Sequence, residues 1–127
     1  MEDLREKYSS FIDKYNNCFY ERNVNALREM YAQNEDIIFF DNHEGCDSYS
    51  LQDHIDKVVN FIESGDIEKL SYRIIKVFEG KQNTCLIVKF IYPSKPVPSV
   101  RATFYLANEH NELKIKHIHY SFDPNES

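Results

Sequence analysis

The sequence predicts an α+β fold in which helices come first and cover one face of the curved antiparallel sheet that follows. Three observations carry this expectation. Apolar residues recur at three- and four-residue steps to about residue 62, and they alternate with period two from about residue 68 onward. The 127 residues, 42% of them hydrophobic and 14% aromatic, suffice for one core and leave no room for a second, so a single domain spans 1–127.

Leu4, Tyr8, Phe11, Ile12, Tyr15, Cys18 and Phe19 fall on one stripe of a first helix that reaches about Arg22. Asn23 or Asn25 caps a second, shorter helix carrying Leu27, Met30 and Tyr31, closed by the polar residues 33–36. The run Ile37-Ile-Phe-Phe40 is too short for a helix and is β-branched or aromatic throughout, so it reads as a strand with Asp41 at its end. After a turn over residues 42–45, Ser50 with Asp53 three residues on resembles a capping box. It opens a third helix with Leu51, Ile55, Val58, Val59 and Ile62 inward and Gly65 as its stop.

Three alternating runs follow, over 68–79, 84–92 and 99–107, and a fourth runs from Leu113 to Phe122. Residues 80–83 and the proline-rich segment 93–98 separate the first three. Pro93, Pro96 and Pro98 cannot donate ladder hydrogen bonds, so that segment is expected to be a rigid connection or a blocked edge.

Fifteen basic against 21 acidic side chains give a net charge of −6, which argues against nucleic acid or an anionic membrane as the partner. No apolar stretch resembles a signal peptide or approaches the length of a membrane span, so a cytoplasmic protein is expected. Cys18, Cys46 and Cys85 are odd in number and scattered, which predicts reduced thiols. No cofactor is expected. No metal is expected either: His117 and His119 have zinc-compatible spacing, but a third ligand is required, and His43 and Cys46 lie in a loop with no reason to converge on them.

His117 and His119 are the strongest chemical lead, because imidazoles two apart on a strand share a face and exchange protons near neutrality. If Ala107 pairs with Glu112, then Phe104 faces Ile115, Ala102 faces His117 and Val100 faces His119. Both imidazoles then lie among apolar side chains, while Arg101, Thr103 and Tyr105 share the other face with Lys114, Lys116 and Ile118. A slip of one residue reverses the faces.

The segment ending in Asn-Val-Asn-Ala-Leu-Arg-Glu-Met-Tyr31, the strand Ile-Ile-Phe-Phe-Asp41 and the closing Leu-Lys-Ile-Lys-His-Ile-His-Tyr-Ser121 resemble the SnoaL-like branch of the nuclear transport factor 2-like superfamily. The closing strand is similar to that of the calmodulin-dependent kinase association domain, with Arg101-Ala-Thr103 on the strand before it. This resemblance implies a cystatin-like cone with the sheet bent around the first helix. It also implies a deep mostly apolar pocket, and a homodimer through the convex sheet face. Phe104 occupies a position that can carry a pocket arginine.

The same superfamily contains ketosteroid isomerase, which pairs a carboxylate base with a tyrosine and a protonated carboxylic acid as oxyanion donors. By position relative to the second helix, the resemblance maps that tyrosine onto Tyr15 and that base onto Asp41. The carboxylic acid falls near Ala102 and is absent, and His117, opposite in the register above, can donate in its place. The candidate catalytic set is Asp41, Tyr15 and His117, and the candidate ligand contacts are His117, His119, Phe104, Tyr15, Phe19 and Phe40.

Each of these residues also has a plainer role. Tyr15 belongs to a core stripe, Asp41 suits a turn, and buried histidines commonly make structural hydrogen bonds. His54 and His110 are expected in solvent on a helix and a turn. The leading function is a binding domain for a small apolar or aromatic ligand with one or two hydrogen-bonding oxygens. The alternatives are an isomerase, cyclase or lyase with Asp41 as base, and a homo-oligomerisation module.

Overall fold

A computed structural model describes residues 4–33, 37–41, 45–65, 67–93 and 99–123. Three helices, α1 (Leu4–Tyr20), α2 (Val24–Glu29) and α3 (Leu51–Ser64), pack on one five-stranded sheet. Its strands are β1 (Ile38–Phe40), β2 (Ser71–Glu79), β3 (Asn83–Ile91), β4 (Val100–Glu109) and β5 (Glu112–Phe122). The expected α+β class holds. The expected turn at 42–44, with His43, and the proline connection over 94–98 fall outside the described residues.

The helices form where the sequence places them. α1 buries Tyr8, Phe11, Ile12, Tyr15 and Cys18 along one stripe, and each such side chain contributes about 2 kcal/mol by leaving water. Asn23 caps α2 by accepting from the Ala26 N–H, and Ser50 caps α3 by accepting from the Asp53 N–H. A cap is worth about 1 kcal/mol, so burial holds α1 in place and the caps fix where the shorter helices start.

The sheet order is β1-β5-β4-β3-β2. β2 to β5 form an antiparallel meander, and β1 adds in parallel beside β5, pairing Ile38 with His117 and Phe40 with His119. Residues 30–32 extend that edge: the Ile115 N–H donates to the Met30 carbonyl at 2.8 Å, and the Ala32 N–H donates to the Ile115 carbonyl at 2.9 Å. The last strand is thereby enclosed by segments from the first third of the chain.

The final hairpin departs from the expected register in two ways. Glu109 pairs with Glu112 across a two-residue turn in which His110 and Asn111 have φ of 50° and 65°, the positive values that tight hairpin turns require. Shortening the loop by two residues leaves the faces unchanged. What reverses them is a bulge: Tyr105 pairs with His117 and Leu106 with Ile115, so Lys116 is an extra residue on β5. Ile115 points inward on one side of the bulge, and Ile118, Tyr120 and Phe122 do so on the other. Ile115 and Ile118 are fully buried in the core, and their burial fixes the bulge, since a continuous alternation would drive one of them into solvent.

Candidate functional site

The C-terminal half of α1, α3 and the inner face of the sheet enclose a cavity of about 350 Å³. Aromatic rings, including Tyr15, Phe19, Phe39, Phe90 and Tyr120, are the largest group in its wall, with Asp13, Asp41, His54, Lys57 and Glu68 among the polar contributors. α1 supplies Tyr15 and Phe19 one turn apart, and their rings meet edge to face at 5.2 Å. β1 delivers Phe39 to the wall and ends at Asp41, whose backbone N–H donates to the Asp47 carboxylate at 3.1 Å. Phe61 and Tyr20, both more than half exposed, stand at the mouth.

A row of polar side chains, in two hydrogen-bonded pairs, lies at this wall. The Tyr15 and Tyr120 hydroxyls are hydrogen-bonded to each other. The Tyr31 hydroxyl lies 2.6 Å from His54 Nε2. All four side chains pack within aromatic surroundings: Phe104 meets Tyr15 at 5.2 Å, and Phe39 lies 4.5 Å from the His54 ring and 5.2 Å from Tyr120.

Burial dominates the acid–base chemistry of the row. It raises the phenols of Tyr15, Tyr31 and Tyr120 above their ordinary value. At Tyr15 the hydrogen bond with Tyr120 works against that rise. All three are protonated at neutral pH. Burial also lowers His54 to about 4, with nearby Lys57 adding to the effect and Asp53 opposing it, so its imidazole is neutral. At the rim, burial and then the charges of Asp41 and Glu68 raise the Tyr92 phenol.

Of the residues expected at the site, Tyr15, Phe19 and Asp41 line the cavity. Phe104 lies behind the wall, fully buried against Tyr15, Phe11 and Phe90. His117, His119 and Phe40 lie elsewhere, because the Lys116 bulge turns both histidines to the outer face, where their rings flank Phe40 at 5.5 and 5.8 Å. The His117 Nδ1–H donates to the Ile38 carbonyl at 2.8 Å, which ties β5 to β1. Ala102 faces Tyr120 and Val100 faces Phe122.

His54, expected in solvent, is only 3% exposed, whereas His110 is exposed on its turn as expected. Tyr31, His54 and Tyr120 were not singled out for the site. His54 offered a signal, since it sits one residue before the apolar Ile55 and four before Val58, on the edge of the buried stripe of α3. Among the described residues, no group of three or more His, Cys, Asp or Glu side chains is placed to hold a metal ion, and no helix is long and apolar enough to cross a membrane.

No protein-family model matches the sequence, and no curated protein matches it. Solved structures match along nearly the whole chain. An NTF2-like protein of unknown function from Shewanella oneidensis is 14% identical with a TM-score of 0.73, covering 94% of this chain and 99% of the other. A protein from Thiobacillus denitrificans described as a calcium/calmodulin-dependent protein kinase type II association domain is 11% identical with a TM-score of 0.75, covering 87% and 90%. A domain of unknown function with a cystatin-like fold from Nostoc punctiforme is 11% identical with a TM-score of 0.70, covering 96% and 80%. The fold is that of the nuclear transport factor 2-like, cystatin-like class.

Proposed function

We propose that this protein binds a small apolar or aromatic molecule in the cavity and holds one oxygen of that molecule at Tyr15. The observation that carries this reading is a buried Tyr15 hydroxyl on a wall rich in aromatic rings: apolar surface provides affinity and a few placed polar groups fix orientation. The mostly neutral lining favours an uncharged ligand. Naphthalene and 1-tetralone, which share a two-ring frame but differ in a carbonyl oxygen, test the reading. Both are expected to raise the unfolding temperature, because a molecule that binds only the folded chain stabilises it. Tyr15→Phe is expected to remove the advantage of 1-tetralone over naphthalene. Failure of naphthalene to bind overturns the proposal.

A second reading is favoured by Asp41 lining the same cavity as Tyr15. A carboxylate beside a bound ketone can take a proton from the carbon next to the carbonyl while Tyr15 donates to the developing oxyanion. Return of that proton to another carbon completes an isomerisation with no net oxidation. 3-Cyclohexenone is the probe, since conversion to the conjugated enone is read by ultraviolet absorbance. Asp41→Asn is expected to abolish that conversion and to leave 1-tetralone binding intact.

Self-association is the third component. Phe78, Cys85, Tyr105 and His117 pair in sequence across four strands on the outer face, and Phe78 and Tyr105 are 56% and 38% exposed. This row is the contact we assign to a homodimer.

A further inference from the structure

We propose that His117 and His119 together bind a divalent transition-metal ion of the zinc, nickel or copper class on the outer face of β5, through Nε2 of His117 and a ring nitrogen of His119. This site lies apart from the cavity and does not depend on the cavity reading.

The Lys116 bulge that turns both imidazoles away from the core also sets them side by side on one face. Their ring centres are 6.4 Å apart, with the planes inclined at 55°. His119 is exposed and His117 is half-buried. Nitrogen atoms of two rings bound to one tetrahedral ion lie about 3.3 Å apart, as bonds of about 2.0–2.1 Å require. A rotation of the exposed His119 side chain toward its neighbour reaches that separation.

His117 is already set as a ligand. Its Nδ1 lies 2.8 Å from the Ile38 carbonyl oxygen, and a carbonyl only accepts, so Nδ1 carries the proton. In the neutral ring Nε2 is then the nitrogen with the lone pair. Histidines that ligate metals share this arrangement, with one nitrogen on the ion and the other N–H tied to a carbonyl or carboxylate. Phe40 packs against both rings, at 5.5 and 5.8 Å, and gives the pair an apolar flank. His117 ends the outer-face row assigned to the homodimer and His119 lies outside it, so the ion sits at the margin of that contact.

Two imidazoles select the ion. Nitrogen donors of this kind suit zinc, nickel and copper, whereas magnesium and calcium take oxygen. A zinc site closed by protein ligands alone uses four, and the described residues place no third His, Cys, Asp or Glu with this pair. The remaining positions go to water or a small ligand, so the site is an open one. A metal on Nε2 also draws electron density from the His117 ring and makes its Nδ1–H a stronger donor to Ile38. β1 is only three residues long, so one strengthened bond counts in its attachment to β5.

Calorimetric titration of the full chain, free of any affinity tag, with nickel chloride and with magnesium chloride tests the site. One nickel per chain and no magnesium are expected to bind. Nickel alone should raise the unfolding temperature, since the pair is assembled only in the folded chain. His119→Gln, at an exposed position, is expected to weaken nickel about tenfold or more. His117→Asn, whose amide N–H still reaches for the Ile38 carbonyl, is expected to do the same, because one imidazole cannot chelate. His110→Asn, at a lone exposed histidine on the β4–β5 turn, should leave nickel binding unchanged. Absence of nickel binding, or nickel affinity that survives in His119→Gln, overturns the proposal. So does an equal loss in His110→Asn. If His117→Asn fails to fold, the contrast between His119→Gln and His110→Asn decides.

Discussion

Ala102 stands directly opposite Tyr120 in the β4–β5 ladder, so the smallest inward side chain of β4 leaves room for the largest of β5. That space lets the Tyr120 phenol lean toward α1 and pair with Tyr15.

Filling that space is expected to displace the phenol. Ala102→Leu should lower stability by about 1–3 kcal/mol through overpacking, read from urea midpoints. It should also reduce the preference for 1-tetralone over naphthalene, since Tyr120 no longer reinforces Tyr15.

Tyr15→Phe removes one oxygen and leaves the Tyr120 hydroxyl short of its partner. The expected loss is about 1–3 kcal/mol, measured by denaturant unfolding at neutral pH. Phe104→Ala, at a fully buried ring behind Tyr15, should cost more, about 3–5 kcal/mol. The contrast separates loss of a polar contact from loss of packing.

His54 makes stability fall as pH drops. Its folded value of about 4 lies below the ordinary 6.5, so between these values the unfolded chain takes up a proton that the buried ring refuses. Above about 6.5 the penalty is absent, and it grows toward about pH 4, where the displacement corresponds to about 3 kcal/mol. The His54→Phe variant should lose less stability than the intact protein between pH 7.5 and 4.5, as compared by urea unfolding at both values. Equal losses in the two proteins would remove His54 from the account.

Tyr105→Glu places a charge in the middle of the outer-face row. If that row joins two copies, native mass spectrometry at micromolar concentration should show a dimer for the intact chain and a monomer for the variant, with unchanged circular dichroism. A monomer in both cases rules out this interface.

The helical stripe, both caps and all five strands were legible because each rests on local spacing or on a single capping side chain. Tyr15, Phe19 and Asp41 reached the cavity for the same reason: α1 and β1 are continuous elements whose faces follow from their period. His117 and His119 did not, because their face depends on Lys116, one unpaired residue whose neighbours look like an unbroken alternation. The Ile115 and Ile118 pair carried the contrary signal, since two strongly apolar residues three apart cannot both face inward on a regular strand. His54 was misplaced because a helix period marks a stripe and leaves its edges open. Only the approach of Tyr31 and Phe39, more than a dozen residues away in sequence, decides that it is interior.

β5 lies between β4 and β1 and also accepts the chain at Met30 and Ala32. During synthesis, Ile38 to Phe40 therefore wait, without a ladder partner, for residues that emerge almost eighty positions later. The nascent chain has no route to its finished sheet while β5 is still inside the ribosome. Such long-range closure is slow, and a chain stopped before β5 would leave Tyr15 of α1 without Tyr120 beside it.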